Sequence, residues 1–596
     1  MQAVPYCTFR HACFVVNTGV FIYIIFMFSQ RKNVILIGFV IAALLCIPFY
    51  NTSIFAGLDL TFHLSRIDGM LTALKDLQFP LAVYPEKNFG FGYASPLFYC
   101  DFFLFPAALL YAMHIPIIIV YKIYVFLIAW IGACTALYAM NEYTSHPGLC
   151  AVGAVIFTFS SYRINDFFIR AALGEALAFA VLPLFMVYVK RYLADGENNT
   201  LPLALFFSAL ALSHLITFAL TAAVFAVLLV IYSRKLFKRK QILTFFKAVV
   251  IGAALCAFFL LPLLQQLRSQ TFLFSQNREL WGEEIMRSYS NTLLSAVSDY
   301  LFMKHYDLEL HHYFTGLIVV LSPAVFLFSK KKDEVHRFLA ILCVISVILL
   351  IATTDLLPLY KIKALQSIQF TYRFNILIAT FLPFALIYTV DQMASGARKT
   401  VMAVLLVYTA ANTAVIDRQL LTDEIQISNT ASNYALFHRE FYENYNNYFN
   451  VSELSSGEYL PATHQINYKY LSGSIDLYDT SSPSVSYERT GTKSLLTMNC
   501  ESDGFAGLPV TWYLGYQAEL ADGDEPVILP ISQDEYTGRI VIPVYQGEHT
   551  YRVYYKGTTV QRLSLALSLV SLLVLAGYLL AENARRNAAG NETVSD

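Results

Sequence analysis

The stretch "GLDLTFHLSRIDG" brings Asp59, His63 and Arg66 together. Separations of four and three residues put all three on one face of a helix. A carboxylate in such a set can take a proton from a reacting hydroxyl, and a guanidinium can hold a phosphate. The run before it, "VILIGFVIAALLCIPFY", carries no charge, so the trio stands at the mouth of an apolar segment. The stretch that follows, "LSRIDGMLTALKDL", is amphipathic and suited to lying flat on a membrane. Arg163, Asp166 and Arg170 repeat the spacing in "SSYRINDFFIRAALGE", which ends with Glu175. For that second set, local pairing that solvates a helix at headgroup level is an equally good account. Ser213 and His214 interrupt a later apolar stretch. Lys361, Lys363, Gln369 and Arg373 fall in "LYKIKALQSIQFTYRF".

The elements that must position these residues are membrane helices. The chain has 596 residues, 57% hydrophobic and 14% charged, with a mean hydropathy of +0.53. A soluble chain of this length would form several domains with charged surfaces, and there are too few charges to cover them. Apolar runs recur at about the length that crosses a bilayer as a helix. Spans are expected near 34–50, 117–140, 148–162, 175–190, 201–214, 217–232, 244–263, 315–329, 338–353, 376–390, 400–416 and 562–580. Residues 13–29 are also apolar enough to cross, or the natural start is Met27. Residues 97–113 are apolar but carry Asp101 and Pro106, and are expected to lie at the membrane interface.

Orientation follows from Lys and Arg in the short loops. "SQRKN", "VKRYLADG", "SRKLFKRKQ", "SKKKDEVHR", "SGARK" and "ENARRN" fall on one side, which is then cytoplasmic. The ionisable residues named above fall on the other. Residues 418–560 are polar and rich in Tyr, Thr, Ser and Asp. The alternating runs "PVTWYLGYQAEL", "PVILPI", "GRIVIPVY" and "TYRVYYKG" predict a small antiparallel β domain outside the membrane. "ASNYALFHREFYENYNNYF" predicts an aromatic helical stretch before it.

The net charge of −1 says nothing about partners, and no basic tract is dense enough for nucleic acid. No Walker loop, dinucleotide fingerprint or nucleophile elbow is convincing. The loops on the basic side are too short for the nucleotide machinery of an ATP-driven pump. The cysteines mostly sit in apolar runs, where packing accounts for them. Cys100 and Cys500 are the pair that could meet outside the membrane. His305, His311 and His312 with Asp307 and Glu309 lack any metal-site spacing, and a solvated loop is the plainer account.

Several segments resemble a known group. A first span followed by a long outer loop with an early Asp is similar to the GT-C superfamily of membrane glycosyltransferases. More closely, the chain resembles the bacterial YfhO-type family and the related membrane proteins labelled 6-pyruvoyl-tetrahydropterin synthase-related. The segments are "GLDLTFHLSRIDGMLTALKDLQFP", "FGYASPLFY", "YRINDFFIRAALGEALAFAVLPL", "ALSHLIT", "SIQFTYRF", "GEYLPA" and "LPVTWYLGYQAELADGDEPV". The label brings no pterin chemistry to these residues.

The resemblance implies a polytopic GT-C-like membrane protein of about twelve spans with an extracytoplasmic C-terminal β domain tethered by the last span. Its parts are residues 1–33 (an extra span or a mis-assigned start), the membrane domain 34–417, the β domain 418–560, and the last span with its tail, 561–596. It implies transfer of a sugar from a polyprenyl-phosphate donor to a cell-envelope glycopolymer or lipid acceptor at the outer face of the cell membrane. Asp59 is then the general base, with a divalent cation there as the open alternative. His63 orients it or contacts phosphate. Arg66, Arg170 and Arg373 are the phosphate ligands, with Asp166, Glu175, His214 and Gln369 as further outer-face candidates. Two rival readings are a non-catalytic scaffold of envelope assembly and a lipid or polysaccharide transporter. Against a transporter, the ionisable groups cluster at the ends of the spans rather than at mid-membrane.

Overall fold

The computed structural model describes residues 32–55, 57–88, 90–292, 315–422, 426–428, 457–463, 474–523 and 525–592. Every one of the twelve expected runs is helical, and the helices sort by length. Six are long and apolar enough to cross a bilayer: α4 (Ile117–Met140), α11 (Arg239–Ser269), α14 (Glu334–Ala352), α15 (Thr371–Asp391), α16 (Ser395–Thr422) and α17 (Thr559–Glu592). Two runs are bent pairs. α5 (Pro147–Thr158) meets α6 (Ser161–Ile169) at 53°, and α7 (Leu173–Val181) meets α8 (Pro183–Leu193) at 42°. The other four are short apolar helices: α1 (Lys32–Leu45), α9 (Thr200–Ser213), α10 (Leu215–Ile231) and α13 (Leu317–Phe326).

The expectation of about twelve spans therefore becomes six, or eight if each bent pair is one span, among the described residues. The reason is local. Pro183 opens α8 without an N–H to continue α7. His214 breaks α9 from α10 in an extended conformation (φ −156°, ψ 111°). A helix needs about 20 residues to cross the hydrocarbon core. Residues 97–113 form no long helix: α3 (Phe105–Ala112) follows two short turns.

The amphipathic stretch is helix α2 (Leu60–Lys75). It is not a surface helix alone: Leu60, Leu64, Ile67 and Met70 are buried in the main core. β1 (Ser53–Phe55), just before it, pairs antiparallel with β2 (Gln426–Ser428) beyond α16. α12 (Leu273–Ser288) follows α11.

The C-terminal sheets pack face to face. One has the order β3 (Asp476–Tyr478), β6 (Gly504–Thr511), β10 (Arg539–Val544), β9 (Ser532–Gln533). The other runs β4 (Val485–Thr490), β5 (Lys493–Cys500), β11 (Gly547–Tyr555), β7 (Tyr516–Leu520), β8 (Val527–Leu529). All pairings are antiparallel. Alternate residues, such as Leu496 and Met498 on β5 and Tyr551 and Val553 on β11, meet Leu508 and Ile540 in a separate core. β3, β4 and β5 lie ahead of the strands that the alternating runs marked.

This domain seats on one end of the helical bundle. Asp76 accepts from Thr492, Arg489 donates to the Gly90 carbonyl, and Gln266 donates to the Leu514 carbonyl (2.6 Å). Cys100 and Cys500 are both free and buried. The segments 293–314, with the three histidines, and 431–449 lie outside the described residues, as do residues 1–31.

Candidate functional site

Asp59 is the N-cap of α2, and its side chain does not cap the helix. Its backbone N–H donates to Arg170 O (2.8 Å), and that of Leu58 to Ile169 O (3.2 Å). This close approach requires Gly57, where a Cβ would come within 2.7 Å of the Ala171 Cβ and 2.9 Å of the Ile169 carbonyl. The partner segment is itself irregular. Residues 165–169 form a π turn, and Ala171 follows at φ +54°. Such turns are enriched at functional sites. Here the π turn presents Arg170 and lets α7 start with Glu175 in its first turn.

Glu175 is the hub. Its Oε1 accepts from Arg170 Nη2 (3.1 Å) and Arg373 Nε (3.0 Å), and its Oε2 from the Tyr162 hydroxyl (2.9 Å). Arg170 Nη1 also pairs with Asp166 Oδ1 (2.8 Å) and the guanidinium lies 5.0 Å from the Tyr372 ring. Arg373 Nη1 donates to Ile368 O and Gln369 Oε1, both at 2.7 Å. Gln369 reaches that position in a left-handed conformation, φ +66°. The structure thus joins Asp166, Arg170, Glu175, Gln369 and Arg373 into one network.

Four groups around that network have no hydrogen-bond partner among the described residues. They are the Asp59 carboxylate, Arg373 Nη2, the Tyr99 hydroxyl and His214 Nε2. His214 Nδ1 lies 3.4 Å from the Thr217 N–H and 2.8 Å from the Thr217 hydroxyl, and it accepts from both when the ring proton is on Nε2. Its ring lies 6.2 Å from that of Tyr99. Burial pushes the half-buried Asp59 carboxyl above its ordinary pKa, while Arg170 and Arg373 pull it down and Glu175 adds to the rise. Tyr99 feels Asp59, Glu175 and Arg373 in turn, so these groups share one field. Gly174 makes room for Tyr99: a Cβ there would stand 1.8 Å from its hydroxyl oxygen.

His63 and Arg66 point elsewhere. His63 Nε2 accepts from the Leu173 N–H (3.1 Å) and Nδ1 faces Arg66 Nη1 (3.1 Å), with no hydrogen bond to Asp59. With donors on both sides and in a buried site, its pKa lies well below the ordinary histidine value, through burial first and Arg66 second. Arg66 is buried, and its Nε and Nη2 are hydrogen-bonded. Nε and Nη2 bind Asp101 Oδ1 (2.9 and 2.5 Å), Nη2 also the Cys100 carbonyl (2.9 Å) and Nη1 faces His63. The Tyr84 hydroxyl donates to the other Asp101 oxygen, and the Arg66 guanidinium stacks 4.2 Å from the Tyr99 ring. His63 and Arg66 therefore tie α2 to α7 and to residues 100–101.

Sequence reasoning passed over Tyr99, Tyr162, Asp101 and Tyr459. "FYCD" and "GEYLPA" stood in view as segments, but nothing in them ranked one side chain above another. The second forms a turn against Leu273 and Phe274, with Tyr459 stacked on Phe98 (5.1 Å, 3°). No group of three His, Cys, Asp or Glu suited to a metal stands together among the described residues. Glu175, the acid nearest in charge to Asp59, is taken by two arginines. Asp59 would give a divalent cation one protein carboxylate, and a cation there would need the substrate's phosphate to complete its ligand shell.

Fold and site together define a helical membrane protein with a buried Arg–Glu–Arg network in its bundle and a β-sheet domain near its C-terminus. Residues 97–419 match the 6-pyruvoyl-tetrahydropterin synthase related domain, a membrane protein family, and the chain belongs to it. An uncharacterized protein of Lactococcus lactis subsp. cremoris (strain MG1363) is 27% identical over 239 residues, 38% of this chain and 39% of that relative. The chain thus matches well under half of that relative's length. Among solved structures, the cryo-EM structure of the arabinofuranosyltransferase AftD from Mycobacteria is similar. Its TM-score is 0.41 and its identity 15%, over 66% of this chain and 27% of AftD.

Proposed function

We propose that this protein is a membrane glycosyltransferase that moves a sugar from a polyprenyl-phosphate donor to a cell-envelope acceptor on the extracytoplasmic face. One observation carries the reading. Asp59, a carboxylate without a hydrogen-bond partner among the described residues, stands in the field of two arginines, one of which keeps a guanidinium nitrogen unpaired among those residues. Acid and cation are what glycosyl transfer from a lipid phosphate needs. Asp59 takes the proton of the acceptor hydroxyl as its oxygen bonds to the anomeric carbon. The bond from that carbon to the phosphate oxygen breaks, and the electron pair leaves on the phosphate. Arg373 Nη2, His214 Nε2–H and the Tyr99 hydroxyl donate to the developing charge. Glu175 holds Arg170 and Arg373 in place.

The face follows from charge. The ion pairs Lys190–Glu142, Lys235–Glu334 and Lys331–Asp391 join the basic loops at the other ends of α8, α11, α14 and α15. A cytoplasmic side for those loops leaves the cluster and the sheet domain outside. The domain then binds or shields the acceptor.

The test is sugar transfer from polyprenyl-phosphate donors by wild type and Asp59→Asn in membranes, each with and without chelator. Loss of transfer in the variant, with no effect of chelator on wild type, supports the reading. A fully active variant removes Asp59 from the chemistry.

A further inference from the structure

The segment "GEYLPA", residues 457–462, takes no part in the steps above, yet the fold holds it with care. Gly457 turns left-handed (φ +67°), and the Leu460 N–H closes on its carbonyl (2.9 Å). The strap then pairs with residues 271–274. The Leu460 and Glu458 carbonyls accept from the Leu273 and Phe274 N–H groups (2.9 and 3.0 Å), and the Ala462 N–H donates to Thr271 O (2.8 Å). Tyr459 is held from two further sides. Its N–H donates to the Tyr93 hydroxyl (3.3 Å), and its carbonyl accepts from the hydroxyl of Tyr513 in the sheet domain (3.2 Å).

This backbone pinning fixes one side chain. The Tyr459 ring is stacked on Phe98 (5.1 Å, 3°), with Tyr93 at 5.9 Å and Phe274 at 6.1 Å. Only its tip is left over: the hydroxyl has no hydrogen-bond partner among the described residues, and the residue is half-buried. A phenol held in the interior ordinarily finds a partner. Burial first, and then Glu458, keep this one well above the ordinary tyrosine pKa, so it retains its proton as a donor.

The neighbours of Tyr459 put that tip beside Asp59. Tyr459 packs in one cluster with Phe62 and Tyr99, and Phe62 stands three residues, about one helical turn, beyond Asp59. The contacts of Arg373 are a different set: Glu175, Ile368, Gln369 and the Phe370 ring. Arg66, whose charge reaches Tyr459, is held by Asp101, so this side offers a second phosphate no open cation. It offers aromatic walls and a phenol donor, which suit the C–H faces and hydroxyl rim of a sugar ring. In a direct displacement the incoming oxygen and the leaving group stand on opposite faces of the anomeric carbon. With phosphate on the arginine side, the acceptor enters on the tyrosine side. We propose that Tyr459 binds the acceptor, its hydroxyl hydrogen-bonding a hydroxyl of an acceptor sugar next to the one that reacts. The acceptor is then a glycan, and this assignment rests on the glycosyl-transfer reading.

The experiment uses the full chain in phospholipid nanodiscs, labelled polyprenyl-phosphate sugars as donors, and delipidated envelope glycan from the cells that make the protein. Tyr459→Phe keeps the ring stack and removes the tip. The glycan concentration for half-maximal transfer should rise about three- to tenfold, the worth of one hydrogen bond, while the donor KM stays at the wild-type value. Arg373→Lys should do the reverse. Tyr536→Phe, at an exposed tyrosine of the sheet domain, should change neither. An unchanged glycan curve for Tyr459→Phe would overturn the assignment. So would a parallel rise in donor KM, or label recovered only in lipids that carry no sugar. Asp59→Asn separates the two ideas. If it keeps full transfer while Tyr459→Phe needs more glycan, the base assignment fails and the acceptor contact stands. If it loses transfer while Tyr459→Phe matches wild type, the acceptor contact alone fails. No transfer by wild type overturns both.

Discussion

Two buried arginine clusters stand at the same end of the bundle, and they are built differently. In one, Arg66 binds Asp101 and the Cys100 carbonyl through Nε and Nη2, and Tyr84 takes the remaining carboxylate oxygen. In the other, Arg170 and Arg373 share Glu175, and Arg373 leaves Nη2 without a partner among the described residues. Beside the second stands Asp59, a carboxylate that pairs with neither arginine. The first cluster is closed and can only hold helices together. The second is open toward an anion and a proton donor. Burial and charge are alike in both; the difference is spare hydrogen-bonding capacity.

The largest effect that would break this contrast is at Asp59. Asp59→Asn should lower transfer roughly a hundredfold to ten-thousandfold, with unchanged amounts of inserted protein on a gel-shift or fluorescence assay. Because burial raises the Asp59 pKa, the acidic limb of the wild-type pH–rate profile should lie above the ordinary Asp value of about 3.9. Activity falls as pH drops through that limb, since the base must be ionised. A limb at or below the ordinary value would count against Asp59 as the base.

Asp101→Asn probes the closed cluster. It leaves the Arg66 charge buried without its counter-ion, a loss of about 3–5 kcal/mol in such sites. Thermal inactivation in membranes should come markedly earlier, while the KM of surviving enzyme stays near wild type. A raised KM with normal stability would place Arg66 in the substrate site after all. Arg373→Lys probes the open one. Lys keeps the charge but loses the fork that would bind Glu175 and phosphate together. Donor use should weaken on the order of tenfold, the equivalent of one charge-assisted hydrogen bond, with little change in stability. The smallest effect is expected at the exposed pair Lys363–Glu279 (3.3 Å, side chains 75% and 68% exposed). Lys363→Ala should be nearly silent in both assays, since exposed pairs contribute at most about 1 kcal/mol.

Much of the fold was legible because helix and strand leave periodic traces. Each of the twelve runs drawn as spans is helical, two of them as bent pairs, and four alternating runs marked strands of the C-terminal sheets. β3, β4 and β5 went unmarked: β4, "VSYERT", is half-exposed along much of its length and carries no apolar face to see. Span lengths were misjudged where a bend interrupts an apolar run, as at Pro183, because hydropathy does not register direction; the break at His214 was drawn, but the helices on either side, α9 and α10, are shorter than a full span. At the site, Asp59, Arg170, Glu175 and Arg373 were legible as rare charges beside apolar runs. Tyr99 was not, since one more aromatic in "SPLFYCDFFLF" looks like core.

By itself the sequence determined a helical membrane chain with a polar β domain near its C-terminus, and it set the few ionisable residues that could do chemistry apart from the spans. Those are properties of composition and spacing, and they act through local hydration and helical or strand geometry. Which arginine is spent and which is spare was decided only in three dimensions. Arg66 and Arg170 are alike in sequence, each a few residues from an acid. Arg66 is spent by Asp101, 35 residues away. Glu175 gathers Arg170 from its own segment and Arg373 from 198 residues on. The π turn at 165–169, the left-handed Ala171 and the space at Gly57 and Gly174 bring those strangers together. Hydrogen-bonding capacity is consumed by neighbours in space, and sequence spacing does not record who those neighbours are.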